Sequence, residues 1–298
     1  MKILLTGGNG FIGSNLRVHF EKNNINYTLL SRDEWMGNDN FTKLDSVINK
    51  GDSFIFIHLA GISNVGYCED NYDECFQVNS YAVEKLLDKL KKDEIKEFIY
   101  ASSMATYGDS NDKIVSENNN LDGFNKYAES KILGEKFVDS WVKNNNKIAT
   151  ILRIGNCYGS SYDGIVSPRG VLAYIINSIL TGSDISLDFH NTSYKSAVKS
   201  FINLDDLSSL FLHIIENREK KNNLNIYNAV GDSYISIYDI FRFVVLHHRY
   251  NGVLNINFTN KVYNGVGSND NIKSDYNWKP KSNLHHDILV YLNKGKNL

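Results

Sequence analysis

Cysteine is scarce in this chain, with three residues in 298: Cys68, Cys75 and Cys157. So few exclude a disulfide framework and show no paired metal-ligand spacing, so buried free thiols in a reducing compartment are the expectation. Histidine supplies no ligand set either. His190, His247-His248 and His285-His286 are isolated or adjacent, and we read them as structural or surface residues, with no metal site. No apolar run is long enough to span a bilayer. Charge of one sign is also missing: 32 basic side chains stand against 34 acidic ones. That balance excludes a general nucleic-acid or membrane-binding surface, so an anionic ligand needs a local basic pocket. A hydrophobic content of 42% is ordinary for a soluble globular protein with ample core. The first motif begins at residue 2, so we expect no leader peptide and a cytoplasmic protein.

What is present is concentrated near the start. Lys2-Ile3-Leu4-Leu5 is a short apolar run, followed directly by Thr6-Gly7-Gly8-Asn9-Gly10-Phe11-Ile12-Gly13 and an amphipathic stretch through Leu16, Val18 and Phe20. Strand, glycine-rich turn and helix in that order form the context a dinucleotide fingerprint requires. Glycines let the backbone approach a pyrophosphate closely, and the helix N-terminus offers free N–H groups and a positive dipole end. Gly7, Gly10 and Gly13 are therefore candidate cofactor residues, with Asn9, Phe11 and Ile12 between them.

Further apolar runs at Tyr27–Leu30, Phe54–Leu59, Phe98–Ala101 and Ile148–Ile154 alternate with helical patterns, notably Ala82–Leu90 and Tyr127–Val142. The alternation predicts an α/β fold with a parallel, doubly wound sheet, its strands buried on both faces. After Gly159 the pattern loosens through Gly164, Pro168, Gly170 and Gly182. Phe201–Leu204 and Asn225–Val230 are expected as short strands returning to that sheet. The expected division is a dinucleotide-binding domain over 1–159, with returning segments about 201–232. A smaller cap, 160–200 and 233–298, covers the carboxyl ends of the strands.

Tyr127 and Lys131 stand four apart, hence on one helix face. Tyr81 and Lys85 share that spacing, but only Tyr127 has a strand-end serine pair upstream, Ser102-Ser103. The ordered set Thr6-Gly7-x-x-Gly10-x-x-Gly13, His58-Leu59-Ala60-Gly61, Val78-Asn79, Ser102-Ser103-x-x-x-Tyr107-Gly108, Tyr127-x-x-x-Lys131, Arg153-x-x-Asn156-x-Tyr158-Gly159 and Trp278-x-Pro280 covers nearly the whole chain. In this it resembles the extended short-chain dehydrogenase/reductase family, in particular its nucleotide-sugar enzymes.

The resemblance implies a Rossmann-type sheet, a substrate-binding cap, and catalysis by Ser103, Tyr127 and Lys131. A phenol titrates near pH 10. A lysine ammonium and an oxidised nicotinamide nearby should lower that value, so Tyr127 could exchange a proton with a sugar oxygen while Ser103 hydrogen-bonds the same oxygen. Lys131 would also hold the nicotinamide ribose. Leu59, Ala60, Gly61 and Asn79 match cofactor-binding positions. Ser31 and Arg32, at the end of the second strand, stand where NAD-selective relatives carry an acid; they suit a 2′-phosphate and favour NADP(H) over NAD(H), although Asp33 could accept from a ribose hydroxyl instead. Asn156 matches the asparagine that binds the substrate diphosphate. Lys199 stands where relatives place a phosphate-binding arginine and keeps the charge without the bidentate fork.

Met104-Ala105 follows Ser103 where sugar dehydratases carry an acid/base pair, so dehydration is disfavoured. The same dipeptide lacks the cysteine base of the enzymes that make GDP-fucose. The short span from Arg32 to His58 and the NADP reading tilt the expectation to reduction of a nucleotide-linked 4-ketosugar. A 4-epimerase is the alternative, and a catalytically silent NADP-binding sensor or scaffold a third reading. A homodimer through the two helices noted above is expected from the family.

Overall fold

The structure, a computed structural model, describes residues 2–37, 41–48, 53–91, 95–110, 113–159, 170–217, 222–260 and 262–295. Gly164 and Pro168 of the loosened stretch lie outside these residues.

The first half alternates strand and helix as the apolar runs require. It runs β1 (Lys2–Thr6), α1 (Phe11–Lys22), β2 (Tyr27–Leu30), α2 (Arg32–Met36), α3 (Thr42–Val47) and β3 (Phe54–His58). Two short helices follow, α4 (Val65–Asp70) and α5 (Tyr72–Phe76), and a π-helical turn, Gln77–Tyr81, leads into α6 (Ala82–Leu90). Next come β4 (Ile95–Ser103), a 3₁₀ turn at Met104–Tyr107, α7 (Lys126–Asn145) and β5 (Ala149–Ile154). Beyond Gly155 lie β6 (Asn156–Tyr158), α8 (Gly170–Thr181), β7 (Ile185–His190), β8 (Val198–Asn203), α9 (Leu204–Glu216) and β9 (Leu224–Ala229). The chain closes with β10 (Tyr234–Ser236), α10 (Ile237–His247), β11 (Leu254–Thr259), α11 (Asp270–Tyr276) and α12 (Leu284–Gly295).

Six parallel strands form the main sheet in the order β2-β1-β3-β4-β5-β9. Alternate side chains of each strand leave by opposite faces. Ile3, Leu5, Ile57 and Leu152 meet Leu16 and Phe20 of α1 and Phe211 of α9 on one face. Leu4, Phe56, Phe98 and Ile151 meet Leu86 and Leu90 of α6 and Trp141 of α7 on the other. Every residue of β3 and β5 is buried, so these runs have no polar face to show. Order reverses between β1 and β3, and a sheet of this kind opens a crevice there, outside its carboxyl edge.

Phe201–Leu204 does not return to this sheet as expected. The place beside β5 is taken by β9, while β8 pairs with β6 and β10 in a separate three-stranded sheet. The chain leaves β5 at Gly155, whose N–H is held by Ala229 O at 3.0 Å, and the β6 that follows pairs with β8, which draws Phe201–Asn203 into the second sheet. Apolar residues of α8, β7, α10 and α12 build a further core around Ile175, Leu187, Ile240 and Ile288, joined by Tyr158 and Phe201.

Candidate active site

The glycine turn makes a cradle for an anion at the head of α1. Gly10 is the N-cap, with no side-chain cap and no acidic residue in the first turn, so the opening N–H groups stay available. Gly7 has a left-handed φ of +69°, and a Cβ there would lie 2.6 Å from the Ala60 nitrogen. A Cβ on Gly13 would collide with the Gly7 carbonyl oxygen. This backbone-lined hollow fits a dinucleotide pyrophosphate and admits no larger residue at either position. Asn9 is exposed beside it and accepts from Arg17 Nη1 at 2.8 Å.

Thr6 ties the cradle to the end of β3. Its hydroxyl accepts the Ala60 N–H at 3.2 Å and lies 2.9 Å from His58 Nδ1. His58 is buried and held neutral, its pKa lowered to about 3 by burial and then by the Lys131 charge. Asn79, expected against the cofactor, is completely buried on the π-helical turn. Its Oδ1 accepts from Ile62 N at 2.8 Å, and its Nδ2 donates to Ile62 O at 2.9 Å and Ser130 Oγ at 3.1 Å. It thereby fixes the Gly61 loop from behind.

Tyr127, Lys131 and Glu135 repeat at helical spacing on the face of α7 turned to the sheet, and all are buried. Asn125 starts this helix, its side chain accepting from Ala128 N at 2.8 Å. The Ser103 side chain lies close enough to the Tyr127 phenol to draw its pKa down, and it accepts from Ala105 N at 3.2 Å. Lys131 Nζ donates to Ala101 O at 3.0 Å and sits 5.1 Å above the Tyr100 ring. The acidification of the phenol expected from Lys131 is not what this arrangement gives. Burial dominates and raises the Tyr127 pKa, and the opposing influence is the Ser103 side chain. Lys131 is itself lowered to about 8 by burial, with Glu135 acting in the other direction.

Sequence reasoning missed the support beneath these groups. Glu135 accepts from Ser102 Oγ at 2.5 Å and pairs with Arg153, whose Nη2 lies 2.7 Å away and whose Nε lies 3.1 Å away. Arg153 Nη1 donates to Tyr107 OH at 2.7 Å, and Tyr107 donates to Asn228 Oδ1 at 2.7 Å. The available signal was Glu135 one turn after Lys131 on the same face.

On the cap side, Asn156 Nδ2 donates to Ser200 O at 3.2 Å and Lys199 Nζ to Tyr263 O at 2.5 Å. Burial lowers the Lys199 pKa to about 8, against Asp109. One cleft of about 460 Å³ is lined by Gly7, Gly10 to Gly13, Leu59, Gly61, Ser103, Tyr127, Lys131, Asn156 and Lys199 together. Phe124, Asn125 and Cys157 line it too and were not foreseen. The Cys157 thiol is pushed up to about 12 by burial, which leaves it neutral. Asn9, Ser31, Arg32, Ala60 and Asn79 are not in the lining. Among the described residues no carboxylate side chain faces the cleft, and no cluster able to hold a metal occurs.

The cysteine expectation also needs correction. Cys68 and Cys75 form a disulfide, because the turn at Asn71 between α4 and α5 brings their Cα atoms to 5.3 Å. The pair packs against Tyr127, and Cys157 stays a free thiol.

A parallel sheet with a glycine cradle at its switch point, and a serine, tyrosine and lysine gathered below it, have the plan of the short-chain dehydrogenase/reductase family, extended group. The chain belongs to the NAD dependent epimerase/dehydratase family, whose model matches residues 3–229. It is 27% identical to dTDP-D-glucose 4,6-dehydratase of Dictyostelium discoideum over 82% of this chain and 61% of the relative. It is 26% identical to UDP-glucose 4-epimerase of Haemophilus influenzae over 81% of each. The chain thus spans about three fifths of the first relative's length. Among solved structures, the Thermus thermophilus UDP-glucose 4-epimerase in complex with NAD superposes with TM-score 0.84 at 18% identity, over 99% of both chains. A Pseudomonas aeruginosa protein (RMD) complexed with NADPH gives 0.80 at 19%, also over 99% of both. No helix among the described residues is long and apolar enough to cross a membrane.

Proposed function

We propose that this protein is a nucleotide-sugar 4-epimerase that works by dinucleotide-dependent oxidation and re-reduction of one carbon. The observation that carries this is the composition of the cleft: among the described residues it has one phenol with its serine, two lysines, and no carboxylate. Elimination of water needs a further base and acid beside the serine, and Met104 and Ala105 supply neither. The reading supersedes the expectation of a one-way reductase. Relatives named as 4-epimerases favour it, and Arg32, on which the NADP argument rested, already has an acidic partner.

Bound NAD(H) or NADP(H) would supply the hydride acceptor and donor. Once the positive charge of a bound oxidised dinucleotide favours its phenolate, Tyr127 would take the proton of the sugar hydroxyl and return it, and Ser103 would hydrogen-bond that oxygen. Lys131, anchored on Ala101 O, holds ribose hydroxyls and keeps a positive charge under the site. Asn156 and Lys199 grip the diphosphate of a nucleotide such as UDP, and the second core forms the cap that carries them. Two copies would pair through α6 and α7, beside which exposed Tyr81, at the end of the π-helical turn, sits 6.3 Å from Phe137 of α7.

The test incubates the protein with UDP-, GDP-, dTDP- and CDP-linked hexoses and follows C4 configuration by NMR, with dinucleotide absorbance in parallel. Epimer formation without net consumption of reduced dinucleotide is the expected outcome. Stoichiometric oxidation of NADPH by a 4-ketosugar would establish the reductase instead, and dinucleotide binding with no turnover of any sugar the sensor. Tyr127→Phe should lower turnover by about 10²–10⁴-fold while dinucleotide binding persists.

A further inference from the structure

The end of β2 holds an arrangement that the sequence alone could not display. Thr6 pairs with Leu30 across β1 and β2, so Ser31 and Arg32 emerge beside the glycine cradle, at the rim where the adenosine ribose of a dinucleotide belongs. The Arg32 guanidinium that would receive a 2′-phosphate is already engaged by a carboxylate, and Ser31 is tied into the cap of α2. The Ser31 N–H donates to Glu34 Oε2 at 2.5 Å. Arg32 Nη2 donates to Glu74 Oε1 at 3.2 Å, and its Nε is turned to Met36 Sδ at 3.3 Å. The other oxygen of Glu74 accepts from the Tyr67 hydroxyl.

Glu74 is not loosely placed. Tyr67 and Glu74 neighbour Cys68 and Cys75 in sequence, and the disulfide between those cysteines fixes α4 against α5. The hydrogen bond from Tyr67, and then the one from Arg32, hold the Glu74 carboxyl below its ordinary range, so it is an anion at neutral pH. Arg32 and Glu74 are both substantially exposed, with side-chain accessibilities of 59% and 44%. An exposed pair is weak in itself. Its effect on a ligand comes from elsewhere. A 2′-phosphate, carrying close to two negative charges, would have to share one guanidinium with an anchored carboxylate, whereas a 2′-hydroxyl meets an acceptor for its proton.

We propose that Glu74 is the residue that sets dinucleotide preference, by occupying Arg32 and thereby favouring NAD(H) over NADP(H). This rests on the dinucleotide-binding reading of the cleft. Glu74 lies far along the chain from the strand end where such selectivity is ordinarily sought, and it acts through Arg32.

The test is equilibrium binding of NADH and NADPH, read by fluorescence, to the full-length protein, to Glu74→Gln, and to Glu74→Gln combined with Arg32→Ala. Wild type should bind NADH more tightly. Glu74→Gln should strengthen NADPH binding by about fivefold while leaving NADH nearly unchanged. Adding Arg32→Ala should erase the gain, and raised ionic strength should shrink it. Tyr67→Phe, which keeps the charge but loosens the carboxylate, should shift the ratio in the same direction by less. The proposal is overturned if wild type binds NADPH more tightly, or if both dinucleotides bind and Glu74→Gln leaves their ratio unmoved. Failure of either dinucleotide to bind any form would remove the cofactor reading itself, and this proposal with it.

Discussion

At the scale of single residues, the cleft assigns its chemistry by burial as much as by identity. Tyr127 and Lys131 were legible in the sequence because their spacing and the upstream Ser103 are local facts. Their protonation was not, since it depends on what surrounds them in three dimensions. Burial raises the phenol and lowers the ammonium, which leaves Lys131 with a pKa of about 8 instead of 10.5. The consequence for stability has a definite sign. Between pH 8 and 10.5 the unfolded chain keeps a proton that folded Lys131 has released, so this group makes folding more favourable as pH rises through that window. On the proposed function, activity should run the opposite way, because the ammonium is lost above about 8. A plot of kcat/KM against pH, which follows the free enzyme, should therefore fall on the alkaline side near 8. Lys131→Arg, which retains the charge, should move that limb upward even as the rate drops. An alkaline limb that stays in place in this variant would show that another group controls it.

Elements place these residues, and one close approach shows how. Gly134 on α7 faces the Tyr100 hydroxyl, and a Cβ there would collide with it and lie 2.9 Å from the Asn79 carbonyl oxygen. The helix can thus lie against both β4 and the π-helical turn, which brings Asn79 and Ser130 within 3.1 Å. Gly134→Ala should push α7 outward at a cost of about 1–3 kcal/mol. Thermal unfolding would show a lower Tm, and Tyr127 would move from Ser103, so kcat should fall further than dinucleotide affinity. An unchanged Tm with normal kcat would mean that the helix can shift freely. Five of the main-sheet strands could be read from apolar runs, since strands buried on both faces announce themselves as continuous hydrophobic stretches. β9 was read from Asn225–Val230 although Asn225 and Asn228 interrupt its apolar pattern. Phe201–Leu204 misled because its apolar pattern reports burial and says nothing of which sheet does the burying. The Cys68–Cys75 pair and the Glu135–Arg153 ion pair escaped for a related reason: each depends on a turn or a strand pairing that brings distant positions face to face.

For the whole molecule, the decisive fact is that the cleft is shared. Gly7, Gly13 and Lys131 belong to elements packed on the main sheet, whereas Leu172, Lys199 and Phe201 belong to α8 and β8 around the second core. On the proposed function, a dinucleotide in the cradle would touch the first group and the diphosphate of a nucleotide sugar the second, so each ligand should stabilise the fold through different residues. Ligand present at a hundred times its dissociation constant adds about 2.7 kcal/mol to the folded state. NADH and UDP should each raise Tm, and their increments should combine. Lys199→Gln removes the ammonium meant for the diphosphate and leaves the glycine cradle untouched. In that variant the increment from UDP should collapse while the increment from NADH survives. If the UDP increment persists in Lys199→Gln, the diphosphate is held elsewhere. If the NADH increment vanishes with it, the two halves of the cleft are not separable, and Lys199 acts on the fold before it acts on a ligand.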